Sequence, residues 1–132
     1  MTVVVDTSAL AAVVFGEPDA EAFLAAMRRS AGDLHIGAAT LVEASIVIEA
    51  KQGPEAVDDM HSLLAGVNGQ VVAVDEAQAL LAHAAWRRLG KGRHPAALNL
   101  GDCFAYALAK STGSALLFKG GDFAQTDIAS AL

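Results

Sequence analysis

The chain predicts an α/β fold in which a short parallel sheet of four to five strands is flanked by helices. Three observations lead there. Short apolar runs alternate with longer segments of helical periodicity. Glycine and proline mark most of the boundaries. The segment order, one strand followed by two helices and repeated along the chain, is that of parallel strands joined by helical crossovers.

Each element has a local reason. Thr2–Asp6 is an apolar run of β-branched residues ending on a carboxylate, and reads as a buried strand. Ser8–Phe15 and Asp19–Ser30 read as helices divided by Gly16-Glu17-Pro18. Leu34–Gly37 is a second short strand, and Ala39–Lys51 a helix closed by Gly53-Pro54. Pro54 suits the first turn of the next helix, which runs to about Leu64. Val71–Val74 is a third strand. Asp75 caps a helix over Glu76–Leu89, with Gln78 at the capping-box spacing and Gly90 as its stop. The polar, basic and glycine-rich stretch Gly90–Asn99 is a loop. A helix over Gly101–Thr112 and a strand over Ala115–Phe118 complete the set. There is no repeat, low-complexity tract or linker, so residues 1–132 read as a single domain.

In such a chain every helix runs back antiparallel to its strand, so strand ends and helix starts share one edge of the sheet. Four carboxylates fall on that edge. Asp6 ends the first strand, Glu43 lies near the start of its helix, Asp102 opens another, and Asp122 follows the last strand. Open α/β sheets place ligands at this edge. Four acids gathered in a cleft repel one another, and a divalent cation is the usual reason to tolerate them. Each acid also has a local explanation. Asp6 in Asp6-Thr7-Ser8 can cap the following helix, and Glu43 can close a capping box with Thr40. Asp102 can be a first-turn charge behind an Asn99 cap, and Asp122 a turn residue after Gly120-Gly121. Singly each is weak; their shared edge selects the metal-site reading.

Composition limits the rest. The net charge is −6, and four of the acidic residues belong to the proposed site. Arg87, Arg88, Lys91 and Arg93, beside His94, concentrate four of the nine Lys and Arg just ahead of the Asp102 helix. A local patch of this kind serves phosphate contact better than the overall balance suggests. Arg87 and Arg88 suit a helix C-terminus, whereas Lys91 and Arg93 lie beyond it and are the expected phosphate contacts. The 54% hydrophobic content is high for this size and points to a protein interface. Phe15, Phe23, Leu24 and Met27 recur at helical spacing and either line a partner groove or pack the core. The lone Cys103 fits a reducing compartment. No apolar stretch has bilayer length and no basic leader precedes it, so a cytoplasmic protein without membrane association is expected. The four histidines lack zinc-ligand spacing, and there is no glycine-rich phosphate loop.

Three stretches together resemble the PIN-domain ribonucleases, and within them the VapC-type toxins of type II toxin–antitoxin pairs. They are Val5-Asp6-Thr7-Ser8-Ala9-Leu10, then Leu98-Asn99-Leu100-Gly101-Asp102-Cys103-Phe104-Ala105-Tyr106-Ala107-Leu108-Ala109, then Leu116-Leu117-Phe118-Lys119-Gly120-Gly121-Asp122-Phe123. Thr40-Leu41-Val42-Glu43 falls between the first two, and Thr126-Asp127-Ile128 follows the last. The resemblance spans the chain. It implies a three-layer PIN-like fold and Mg²⁺-dependent endonucleolytic cleavage of RNA, with Mn²⁺ able to substitute. It implies that Asp6, Glu43, Asp102 and Asp122 are the acidic residues. It also implies a cognate antitoxin as partner and a homodimer. The family's hydroxyl after the first acid matches Thr7 or Ser8. Gly121 is a departure, since relatives often carry a polar side chain there. Asp6 and Asp102 are the expected metal ligands, and Ser8, Lys91 and Arg93 the expected substrate contacts. A single-stranded or looped RNA suits a shallow site that must reach an exposed backbone. Two other classes compete: a Mg-dependent small-molecule phosphatase, whose D-x-D-x-T signature is broken by Ser8, and a non-catalytic binding module, which has no use for all four acids.

Overall fold

A computed structural model describes all 132 residues. The elements in chain order are β1 (Val3–Val5), α1 (Thr7–Val14), α2 (Ala20–Arg29), β2 (Leu34–Gly37), α3 (Ala38–Gln52), α4 (Pro54–Gly66), β3 (Gln70–Val72), α5 (Glu76–Leu89), α6 (Leu100–Thr112) and β4 (Ala115–Leu117), followed by a 3-10 turn (Phe123–Gln125). The strands form one sheet in the order β3-β2-β1-β4, and every pairing is parallel. The fifth strand that a count of four to five allows is reduced to a single parallel bridge, Leu116 with Ser130, held by Leu116 N–H to Ala129 O and Ala131 N–H to Leu116 O, both 2.9 Å.

Side chains of β1 alternate between two cores. Val3 and Val5 face a core built from α1 to α4, which takes Leu10, Phe23, Met27, Ile48, Met60 and Leu117. Val4 faces the other core with Leu98, Tyr106, Leu108 and Leu116, covered by α5 and α6. This is the period-two alternation of a strand buried on both faces, and it gives the three layers. The order also creates a switch point. From β1 the chain crosses to β2 and β3 on one side and returns to β4 on the other, so the switch point, where sheets of this class form their ligand crevice, falls at the C-terminal ends of β1 and β4.

Several expectations are corrected. Phe23 and Met27 are sealed in the core and do not line an open groove; Leu24 is half-buried, and Phe15 is half-buried beneath the Lys51 ammonium, 4.4 Å from the ring centre. Exposed apolar side chains lie instead on α3 and at the start of α6, where Val42 is 60% exposed, Ile46 64% and Leu100 76%, and on β3 and α5, where Val71 and Leu80 are exposed. Glu43 accordingly sits at the border of an open apolar face. The Thr40–Glu43 capping box does not form. The N-cap of α3 is Gly37, and Thr40 is buried within the first turn. At α5, Asp75 does cap by accepting from Gln78 N–H at 2.8 Å, but the Gln78 amide donates to Ala73 O, leaving half a box. No helix is long and apolar enough to cross a membrane.

Candidate active site

Asp6 is placed by two elements at once. Its N–H donates to Leu117 O at 2.9 Å, which ties the end of β1 to β4, and its side chain caps α1. Oδ2 accepts from Ser8 N–H at 3.1 Å and from the Ser8 hydroxyl at 2.6 Å. Ser8 Oγ in turn accepts from Lys119 N–H at 2.9 Å, so the β4 end is clamped to the same carboxylate. Oδ1 is buried and has no hydrogen-bond partner. Burial pushes the Asp6 carboxyl above its ordinary range, the Ser8 hydrogen bonds oppose that, and the Glu43 charge adds to it. Asp6 is therefore both the helix cap of its local explanation and a carboxylate with one buried oxygen left unpartnered.

Glu43 reaches the site from α3. Its Oε1 accepts from the Thr7 hydroxyl at 2.6 Å, across 36 residues of chain. Thr7 is nearly buried, so the hydroxyl after Asp6 is a fixed anchor. The two candidate hydroxyls divide the work: Ser8 holds Asp6, and Thr7 holds Glu43. Ser8 Oγ is engaged as donor and as acceptor, so it builds the site before it contacts any ligand.

Asp102 sits in the first turn of α6, in a full capping box with Asn99. Asn99 Oδ1 accepts from Asp102 N–H at 2.8 Å, and Asp102 Oδ2 accepts from Asn99 N–H at 3.1 Å. The capping motif and the acidic cluster coexist. The Asp102 carboxyl is pushed up to about 6, first by burial and then by the charges of Asp6, Asp122 and Glu43, against the Asn99 hydrogen bond. All three other acids are thus within electrostatic reach of Asp102. Asp122 is exposed at the head of the 3-10 turn and forms the outer member.

No three His, Cys, Asp or Glu side chains stand as a ready-made metal cage. Asp102 Oδ2 is turned to its helix cap, Glu43 to Thr7, and Asp122 lies in solvent. The donor set still fits Mg²⁺, which keeps several waters and takes one or two carboxylates. The partnerless Asp6 Oδ1 is the buried lone-pair donor that such an ion needs.

The basic stretch is more engaged than its sequence suggests. Lys91 N–H donates to Leu98 O and Leu98 N–H to Leu89 O, folding the loop back onto the start of α6. Lys91 lines an apolar groove of about 480 Å³ with Trp86, Leu100 and Phe104. The Arg93 guanidinium stacks on Trp86 at 4.3 Å, and Arg88 donates to the Tyr106 hydroxyl at 2.9 Å. His94 Nδ1 accepts from Ala96 N–H. Sequence reasoning missed Lys119, whose ammonium bridges Glu17 at 2.6 Å and Asp19 at 3.1 Å and pins the α1–α2 connection beside the site. It also missed the anchor role of Thr7.

Comparison with known proteins accords with this geometry. The PIN domain family matches residues 3–129. Ribonuclease VapC30 of Mycobacterium tuberculosis is 48% identical over 126 residues, 96% of this chain and 95% of the relative. Ribonuclease VapC of Mycolicibacterium smegmatis is 46% identical over 126 residues, 96% of this chain and 97% of the relative. Among solved structures, Mycobacterium tuberculosis VapC20, a sarcin-ricin loop cleaving toxin, shares the fold with a TM-score of 0.74 at 17% identity, covering 96% of each chain. With a family match along nearly its whole length and relatives of this identity, the chain belongs to the PIN-domain family and, within it, to the VapC ribonucleases.

Proposed function

We propose that this protein is a Mg²⁺-dependent endoribonuclease acting on single-stranded or looped RNA, the toxin of a toxin–antitoxin pair, with Mn²⁺ able to substitute. The observation that carries the reading is the buried, partnerless Asp6 Oδ1, within charge reach of Glu43 and of a carboxyl pushed up to about 6 at Asp102. Asp6 and Asp102 would hold the ion, which supplies Lewis-acid polarisation of the phosphate and a lowered pKa for attacking water. Glu43, fixed by Thr7, orients that water or takes its proton. Water oxygen bonds to phosphorus as one P–O ester bond breaks, and the departing ribose oxygen takes a proton from solvent water. Asp122 completes the outer side of the cluster. Lys91 and Arg93 hold the RNA phosphates that the acids repel, and Ser8 keeps Asp6 aligned beneath them. The chain works in the cytoplasm with a cognate antitoxin that blocks the site. It forms a homodimer in which a second copy covers the exposed Val42, Ile46 and Leu100 face.

The test is cleavage of RNA by protein freed of any antitoxin. Cutting should require Mg²⁺ or Mn²⁺, stop in excess chelator and return when metal is restored. Undiminished cutting in chelator overturns the metal-dependent mechanism.

A further inference from the structure

Gly101 lies between two residues already described, the Asn99 cap and Asp102, yet neither accounts for it. Glycine is used where φ must be positive or where another group comes too close for a Cβ. Positive φ is not the reason, because Gly101 is an ordinary residue of the first turn of α6 and is not among the glycines of left-handed backbone. Close approach is. A Cβ built at position 101 meets three heavy atoms first, and all three belong to the Glu43 carboxylate: Oε2, Cδ, and Oε1 at 2.7 Å. Oε2 and Cδ would overlap it outright. The carboxylate thus rests on the bare backbone of the first turn of α6, where the positive end of the helix favours an anion. The Thr7 hydroxyl holds it from the other side.

We propose that Gly101 is a positioning residue for Glu43: its missing side chain is the seat that lets the α3 carboxylate lie against α6 in line with Asp6 and Asp102. This rests on the catalytic reading of the site and extends it to a residue with no functional group. The neighbours of the seat decide what a substitution does. The three nearest obstacles to a methyl group are all the far end of one flexible side chain, and alanine is a better helix former than glycine. Gly101→Ala should therefore leave the fold intact and push Glu43 off its place. Shortening Glu43 by one methylene restores the room.

The experiment combines Gly101→Ala with Glu43→Asp and with Thr7→Val. On a single-stranded RNA oligonucleotide with Mg²⁺, Gly101→Ala should lower kcat by about 10²-fold, the scale of a misplacement near 1 Å, with KM little changed. Its melting temperature should equal or exceed that of the parent. Glu43→Asp should be impaired alone, and adding it to Gly101→Ala should raise activity above the Gly101→Ala level. Parental kcat in Gly101→Ala, or a double variant no better than Gly101→Ala, overturns the proposal. Unfolding of Gly101→Ala that Glu43→Ala fails to relieve overturns it as well. A second readout needs no catalysis. Thr7→Val should lower the melting temperature in the parent but not in Gly101→Ala, where Glu43 has already left the hydroxyl. Equal losses in both backgrounds overturn the proposal even if the parent fails to cut RNA, a failure that would refute only the ribonuclease reading.

Discussion

Two carboxylate sites in this molecule, the cluster around Asp6 and Asp102 and the single Asp127, end in opposite electrostatic states. At the β1–β4 crevice, Asp6 and Asp102 have carboxyls pushed upward, and one buried oxygen lacks a partner. Beyond the last strand, Asp127 receives the Tyr106 hydroxyl at 2.6 Å and the Lys110 ammonium at 2.7 Å, and Arg88 donates to that same hydroxyl. The Lys110 and Tyr106 bonds pull the Asp127 carboxyl down to about 2. Asp127 has its cation, Lys110, supplied by the chain and fastens the C-terminal segment to α6. The acids at the β1–β4 edge have no such partner within the cluster, and on the proposed reading a cation from solution would complete them. An acid cluster of this kind, partly buried and without a cation of its own, is what the proposed metal-site reading of the β1–β4 edge requires.

The largest effect that can break this contrast is on catalysis. Asp6→Asn or Asp102→Asn should reduce Mg²⁺-dependent RNA cleavage by about 10³-fold or more, because each removes a charge that would hold the ion. Asp127→Asn should leave the cleavage rate of folded protein near that of the parent. Comparable losses in all three, in steady-state assays normalised to folded protein, would erase the distinction between the two sites.

The second effect is on stability and runs in opposite directions with pH. A carboxyl raised in the fold binds its proton more tightly there than when unfolded. Metal-free protein should therefore lose the Asp102 contribution as pH rises from about 4 through about 6, by at most on the order of 2 kcal/mol after solvent screening. Asp6 acts in the same direction. A carboxyl lowered in the fold does the reverse: the Asp127 contribution is complete above about 4 and is lost as pH falls toward about 2. Asp127 is half exposed, so solvent screening leaves its contribution, from the Lys110 bond first and the Tyr106 bond second, at about 1 kcal/mol. Urea unfolding in chelator between pH 2 and 8 measures both slopes. Asp102→Asn should flatten the fall between pH 4 and 6, and Asp127→Asn the loss below pH 4. Mg²⁺ at pH 7 should stabilise the parent and not Asp102→Asn. A parent whose metal-free stability climbs from pH 4 to 6 would contradict the strain assigned to the crevice.

How much of this is legible in the residues depends on the range of the interaction that settles each feature. Leu34–Gly37 and Glu76–Leu89 form as the sequence predicts because their boundaries are local, set by glycine on one side and an Asp75 cap on the other. Asn99 likewise announces the start of α6. The edge on which the four acids meet follows from strand–helix alternation alone. Glu43 marks where local rules stop. The capping-box spacing points to Thr40, three residues back, whereas the hydroxyl it receives belongs to Thr7 on another helix. Periodicity also cannot say which apolar stripe is covered. Phe23 and Met27 go inside, while Val42 and Ile46 stay in water. Gly101 carries a readable signal, a glycine in a first helical turn with no turn to make, but its cause lies on α3.

The smallest effect concerns how RNA is held beside the crevice. Its acids repel phosphate, so affinity must come from cations outside the cluster, and Lys91 and Arg93 are the two on the loop that leads into α6. They are not equivalent. Arg93 is stacked on Trp86, which fixes the guanidinium plane while leaving its N–H edge free to donate to phosphate. The Lys91 side chain is exposed at the groove beside Leu100. Removing a cation that touches phosphate should flatten the dependence of log K on log salt by roughly one unit, and removing one that does not should leave it unchanged. Lys91→Ala with Arg93→Ala should weaken RNA binding across sequences without altering stabilisation by Mg²⁺, which depends on Asp6 and Asp102. Trp86→Ala separates the two contributions: it frees Arg93 from its stack, and so should weaken binding in the presence of Arg93 but not after Arg93→Ala. Filter-binding titrations across a salt series measure all three. A double variant with the parental slope would remove the loop from the substrate path and leave the crevice without a cation of this loop to hold its polyanion.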